Sequence, residues 1–291
     1  MGTILLMGAG LQTTVTGPTY DPDAELFFNA ESAAGVTLTT TEKNAVNQWV
    51  IDAKAAGIWT KMKAVYPFVG GTATAHKFNL KNPADTDAAF RLSFVGGVTH
   101  SANGIQGNGT NGYANTFLNM QTVFPSGNSS IGSYNRTNVA GYMLGARAGT
   151  GNTGNPATNF NHSIIQVSSI TVSPPQASII VASRSGTGTA GLFQVTPTPT
   201  SQLGLLACSR VSSTLIYAIT NSGLFTNTTN VTQTVLPNLQ IALLALNTGT
   251  VGTFSTHQLS FAYISDSLTS TELTALRTIN LTFQTTLGRN V

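Results

Sequence analysis

The run Leu203-Gly204-Leu205-Leu206-Ala207-Cys208-Ser209-Arg210 is followed three residues later by Thr214-Leu215-Ile216-Tyr217-Ala218-Ile219-Thr220. Each is too short for a helix of ordinary length, and the second is rich enough in β-branched and aromatic residues to read as a strand. The first is apolar on both sides through Cys208, as is 241–246, which suits the covered centre of a two-layer stack. Working outward, strands are expected at 77–80, 89–95, 112–116, 130–136, 142–147, 162–168, 178–183, 191–195, 203–210, 214–220, 240–247 and 258–264. Short strands at close spacing, with Gly, Asn, Pro and Ser between them, argue for a sandwich or barrel. Two strands alternate as if one face were wet: Phe90, Leu92 and Phe94 against Arg91 and Ser93, and Leu259, Phe261 and Tyr263 against Ser260 and Ala262.

Two helices frame these strands. Thr39 and Glu42 have the spacing of a capping box, and Val46, Trp49, Val50 and Ala53 fall on one face, so a helix is expected over 41–56 with Gly57 as its stop. Glu272 follows another Thr/Ser-x-x-Glu start, and Leu273, Leu276, Ile279, Leu281 and Phe283 predict a helix over 269–285. The fold class is therefore mainly β, a two-sheet antiparallel sandwich with a short N-terminal helix and a C-terminal helix. Residues 1–24, punctuated by Gly8, Gly10, Gly17, Pro18 and Pro22, read as an arm; 25–66 as a helical segment; 67–291 as the sandwich with its closing helix.

Charge is scarce and unevenly placed. Only 8% of the 291 residues are charged, against about a quarter in an average domain. Eight of the ten acids precede residue 88, and only Asp266 and Glu272 follow. Between 88 and 265 the only charged residues are Arg91, Arg136, Arg147, Arg184 and Arg210. The polar surface of that body must come from Thr, Ser, Asn and Gln. A net charge of +3 from so few groups is no clustered basic footprint, so nucleic acid is not an expected partner. Cys208, in its apolar run, reads as a small buried hydrophobe rather than a reactive thiol. The start Met1-Gly2-Thr3-Ile4-Leu5-Leu6-Met7 makes a poor signal peptide, and no apolar run is long enough to span a membrane.

Four stretches then carry a resemblance: residues 59–71 (WTKMKAVYPFVGG), His76-Lys77-Phe78-Asn79-Leu80-Lys81, 85–92 (DTDAAFRL) and Asn108-Gly109-Thr110-Asn111-Gly112-Tyr113-Ala114. Together they resemble a block common in virion proteins of tailed bacteriophages, including crAss-like phages. The C-terminal half looks like a laminin-G or concanavalin A-like jelly roll, with Leu215-Ile216-Tyr217 before a short hairpin and 261–269 with Glu272 as closing strand and helix; 283–291 matches the phage group's ending. The resemblance implies a jelly-roll sandwich in a non-enzymatic surface protein of the particle, as a capsid decoration, head fibre or tail component. It would be made in the host bacterial cytoplasm and displayed on the virion surface. Its partners would be other virion proteins of capsid or tail, further copies of itself, with a trimer among the forms, and host-surface or mucus glycans. A metal-independent glycan-binding receptor module and a polysaccharide depolymerase share the fold and stand as alternatives.

The residues themselves constrain the chemistry. Hydrolysis of a glycosidic bond by the usual route needs two carboxylates across the scissile bond. Asp85 and Asp87 are the close pair nearest the sandwich, but Asn82-Pro83-Ala84-Asp85 reads as a turn, and Asp21 and Asp23 flank Pro22 in the same manner. His76, His100, His162 and His257 have no short metal-ligand spacing, and the asparagine loops at 103–115 and 152–161 lack the acids a calcium site needs. No cofactor or metal is expected, no G-x-S-x-G occurs, and an enzyme is not expected. Sugars can be held without charge, by aromatic rings on their apolar faces and neutral hydrogen-bond partners. Tyr113, Tyr134 and Tyr142 beside Asn111, Asn115 and Arg136 are the candidate glycan site; Ile4, Leu5, Leu6 and Met7 are the candidate assembly anchor.

Overall fold

The computed structural model describes residues 19–148, 160–168, 178–184, 192–194, 203–228 and 237–291, and gives 160–168, 178–184 and 192–194 by their backbone. The described chain opens with α1 (Pro22–Ala33) and α2 (Thr40–Ala55), then β1 (Met62–Tyr66) and a single turn, α3 (Ala73–His76). Short strands follow as β2 (Ser93–Val95), β3 (Thr99–Ser101) and β4 (Gly104–Gln106), then β5 (Tyr113–Asn119), the turn α4 (Met120–Val123), β6 (Ser129–Asn135) and β7 (Tyr142–Ala148). Next come β8 (Phe160–Ser168), β9 (Ser178–Arg184), β10 (Leu192–Gln194), β11 (Gly204–Ser212), β12 (Leu215–Thr220) and β13 (Gly223–Asn227). The chain finishes with β14 (Gln240–Leu243), β15 (Leu246–Asn247), β16 (Val251–Gly252), β17 (Gln258–Ser265) and α5 (Ser270–Thr286).

The strands form two sheets. One runs β13-β12-β11-β6-β17-β4-β3, with β1 also on β17; the other runs β10-β9-β8-β7-β14-β5-β2, with the β15-β16 hairpin beside β7. Pairing is antiparallel throughout except for a parallel contact, Asn247 to Ala146. One buried cluster draws on both sheets, with Ile131, Leu206, Cys208, Ala262 and Ile264 from the first and Ala114, Leu118, Met143, Leu144 and Leu243 from the second. The sheets therefore pack on each other. The opposite face of the first sheet, through Tyr134, Leu205, Ala207, Ile219, Phe261 and Tyr263, packs on Phe27, Phe28, Trp49, Val50, Leu273, Leu276 and Phe283 of the three long helices. The molecule is thus helices, inner sheet, outer sheet.

This layering explains the strands that are apolar on both sides. In β11, Leu205 and Ala207 face the helices while Leu206 and Cys208 face the other sheet. Strand β17 does the same, so its expected wet face is absent: Ser260 is fully buried and Ala262 1% exposed, Ala262 lying between the two sheets while α2 and α5 cover the side of Phe261 and Tyr263. The boundary drawn at residue 66 falls at the end of β1, which pairs with β17 and joins the helical segment to the first sheet.

Both capping boxes form: Thr39 with Glu42 at the start of α2, and Thr269 with Glu272 at the start of α5. The unforeseen helix is α1, where Pro22 stands in the first turn, the Asp21 side chain caps Asp23 N and Asp23 and Glu25 complement the dipole. Pro22 starts a helix rather than ending an arm. The strand expected at 77–80 is replaced by one side chain. Buried Asn79 accepts from Val65 N and Lys81 N and donates to Lys63 O and Ala89 O, filling the ladder positions beside β1. The strand expected at 89–95 begins only at Ser93, because Phe90 is left-handed (φ 59°) and Tyr66 donates to its carbonyl. Likewise 240–247 breaks at left-handed Leu244 (φ 64°) into β14 and β15.

Candidate functional site

The chain between β4 and β5 is Gly107-Asn108-Gly109-Thr110-Asn111-Gly112, and two asparagines hold it. Asn108 Oδ1 accepts from the backbone N–H of Thr110, Asn111 and Gly112 at 2.9, 3.0 and 2.9 Å. Its Nδ2 donates to Asn111 Oδ1 (2.8 Å), which also accepts from Gly97 N (3.0 Å) in the loop after β2. The two loops interlock so closely that a Cβ on Gly97 would lie 2.1 Å from Asn108 Nδ2, and one on Gly96 2.2 Å from Asn111 O. An exposed amide-rich loop is in this way fixed without a single charge.

A second segment lies against it. Gly107 N donates to His257 O and Gly109 N to Ser255 O, each at 3.2 Å, and Ser255 N donates to Leu244 O (2.9 Å). Thr253 turns left-handed (φ 52°) just before Phe254. The result sets the Phe254 ring 6.0 Å from that of Tyr113, tilted by 31°. Both rings are half-buried, and Asn108, Thr110, Asn111 and Thr256 are exposed around them. Beneath this rim lie Ser255, 3% exposed, whose Oγ has no hydrogen-bond partner, and His257, fully buried with its ring beside the Val139 backbone. Burial pushes His257 down to about 4, so its ring is neutral at pH 7.

The expected site residues part company. Asn111 and Tyr113 meet at the rim. Asn115 lies further along β5, where Nδ2 donates to Gln240 Oε1 (2.7 Å) and Oδ1 accepts from Phe117 N. Tyr142 is buried in the outer sheet, its phenol pushed up by burial. Tyr134 and Arg136 are on the other sheet. Tyr134 is 2% exposed; its hydroxyl donates to Asn290 Oδ1 (2.6 Å) and accepts from Val291 N, while Arg136 donates to the Arg289 carbonyl and to Gln258 Oε1. These two hold the C-terminal tail, and the buried Tyr134 ring offers no stacking surface. Phe254 escaped the sequence reading, although an aromatic ring isolated in Gly252-Thr253-Phe254-Ser255-Thr256 is a signal that could have found it. Ile4, Leu5, Leu6 and Met7 lie outside the described residues.

The carboxylates are engaged elsewhere. Asp85 pairs with Lys77 (2.5 Å) and Arg91 (3.2 Å), and Arg91 also binds Asp87 (2.9 Å). The Lys77 hydrogen bond, ahead of the other contacts, holds the Asp85 carboxyl below its usual range, which keeps it ionised rather than suited to donate a proton. Asp21 and Asp23 both take Lys54 at 2.6 Å. Cys208 is 1% exposed and burial pushes its thiol up, as its apolar run led us to expect. Among the described residues no helix is long and apolar enough to cross a membrane.

No family model and no curated protein matches the sequence. Solved structures do. A mutant of Trypanosoma rangeli sialidase displaying trans-sialidase activity aligns over 91% of this chain and 38% of its own length, at 11% identity and a TM-score of 0.53. Domain 4 of AbnA, an extracellular arabinanase from Geobacillus stearothermophilus, solved with arabinotriose, aligns over 75% of this chain and 98% of its own at 14% identity and a TM-score of 0.41. The binding domain of botulinum neurotoxin serotype D aligns over 76% and 52% respectively, at 7% identity and a TM-score of 0.44. The sialidase alignment is a likeness of fold.

Proposed function

We infer that this chain is a non-catalytic module that binds uncharged glycans, built on a concanavalin A-like jelly roll and displayed on a tailed-bacteriophage particle. The observation that carries the glycan reading is the Tyr113–Phe254 pair, held 6.0 Å apart on a rim fixed by Asn108 and Asn111. A sugar's apolar face would lie on these rings, with the exposed Asn111 amide and the hydroxyls of Thr110, Thr256 and Tyr113 meeting its hydroxyls. No Lys or Arg occurs in the rim segments 96–98, 107–113 and 252–257, which favours neutral over anionic sugars, and no acid occurs between 88 and 265, which favours recognition without calcium. The virion reading is supported by the resemblance at 59–71, 76–81, 85–92 and 108–114 and by a low-charge body, since hydroxyls and amides are cheaper to bury against neighbouring subunits than ions. Other virion proteins and copies of this chain would be its neighbours.

The test is a glycan array and host-cell adsorption assay with the purified chain, with and without a chelator. Binding to neutral glycans that survives chelation and falls about fivefold or more in Tyr113→Ala or Phe254→Ala is expected, each ring contributing about 1 kcal/mol or more. No signal above an unrelated β-sandwich would retire the reading. A map of the particle that finds the chain absent would retire the virion assignment alone.

A further inference from the structure

We propose that His76 and His100 form a two-histidine site for a borderline divalent transition ion, Cu²⁺, Ni²⁺ or Zn²⁺, distinct from the rim. Their Nδ1 atoms stand 3.0 Å apart. Two imidazole nitrogens bound to one tetrahedral ion at about 2.0–2.1 Å are about 3.3–3.4 Å from each other. An opening of a few tenths of an ångström therefore admits the ion in place of the shared proton. The sequence hides the pair because His76 ends α3 and His100 lies in the middle of β3, 24 residues on.

The rings are held for this geometry. Phe68 meets His76 edge-on with centroids 5.5 Å apart, and Phe94 meets His100 edge-on at 4.5 Å. On binding, the proton shared by the two Nδ1 atoms shifts to the Nε2 of its own ring, which frees both Nδ1 lone pairs for the ion. His76 is 1% exposed while His100 is half-buried, so the ion enters from the His100 side and solvent completes its shell.

The neighbouring charge sets the selectivity. Arg289, 3% exposed, donates to the carbonyls of Pro67, Phe68, Ala102 and Ser260 and to Gln284 Oε1, all neutral acceptors. Its positive charge opposes hard cations bound by electrostatics alone, and among the described residues no group of three or more His, Cys, Asp or Glu gathers to offset it. Ions that form strong bonds to imidazole nitrogen are favoured over Mg²⁺ and Ca²⁺.

Calorimetric titration of the full chain at pH 7 with Cu²⁺, Ni²⁺, Zn²⁺ and Mg²⁺ tests this. One transition ion per chain is expected, Cu²⁺ tightest and Mg²⁺ silent, with affinity falling more than about tenfold in His100→Ala. In the unmodified protein with ¹⁵N-labelled histidine, paramagnetic Ni²⁺ should broaden His76 and His100 before His162 and His257, a readout that needs no variant to fold. Affinity unchanged in His100→Ala, or broadening that begins at another histidine, means an adventitious ion only and overturns the site.

Discussion

The helical layer and the loop rim of the outer sheet solve the same problem with opposite chemistry. Around the helices, position is fixed by ions: Lys54 with Asp21 and Asp23, Lys61 with Glu272, and Lys63 with Asp266, all at 2.6–2.7 Å. At the rim, amides and close-packed glycine do the work through Asn108 and Asn111. The ionic contacts are half-exposed and individually weak, so the helices must be held chiefly by the aromatic core beneath them. The rim has little apolar core of its own and depends on pairing the backbone donors of Gly107, Gly109, Thr110, Asn111 and Gly112.

The largest expected effect tests whether that aromatic core is shared. Phe261→Ala removes a fully buried ring that touches Trp49 (5.4 Å between centroids) and Phe283 (6.1 Å), and should cost about 3–5 kcal/mol in denaturant unfolding. A single transition is expected; separate transitions for helices and sheets would split the molecule where the core here joins it.

Acidity separates the layers next. His76 and His257 are pushed down to about 3 and about 4, and His100 is lowered too. The unfolded chain then binds more protons below its histidine value near 6.5. Their contribution is whole above that pH and drains as pH falls towards 3, at about 1.4 kcal/mol per unit for each histidine that titrates alone. Glu31 on α1 has the opposite sign: burial, then Glu42, pushes its carboxyl up to about 9. Its contribution is present below about 4.5 and is lost as pH rises towards 9. Glu31, fully buried with neither carboxylate oxygen bonded, should yield a more stable protein at pH 8 when changed to Gln, by about 1–3 kcal/mol in thermal or chemical unfolding. A less stable Glu31→Gln would mean the carboxylate is ionised and paired.

Smaller again, Asn108→Ala strips three backbone donors of their acceptor and should cost about 1–2 kcal/mol while abolishing glycan adsorption. Retained adsorption would show that the rim needs no asparagine frame. Smallest, Lys54→Ala should change stability by less than about 1 kcal/mol and lose that difference in high salt, because the pair is partly exposed.

Local chemistry was legible in the sequence and long-range coincidence was not. Thr39 with Glu42 and Thr269 with Glu272 announced two helices because a capping box is complete within four residues. Apolarity on both sides of 203–208 announced a covered strand, although not that helices do half the covering. Strand β1 was missed because its partner β17 is about two hundred residues away and Lys63 interrupts its pattern. Half of the rim was named, Asn111 and Tyr113; Phe254 arrives from β17's approach, and only the fold sets it beside Tyr113. Tyr134 failed as a site residue because alternation gives a residue's face and not what covers that face.

Strand β17 has a kinetic consequence. It receives β6, β4 and β1, and its register with β1 joins Met62 to Ser265. Closing so long a loop is entropically costly and slow. While the chain grows on a ribosome, α1 and α2 must therefore wait with Phe27, Phe28 and Trp49 uncovered until residues 258–265 have emerged, a window in which a chaperone would find them.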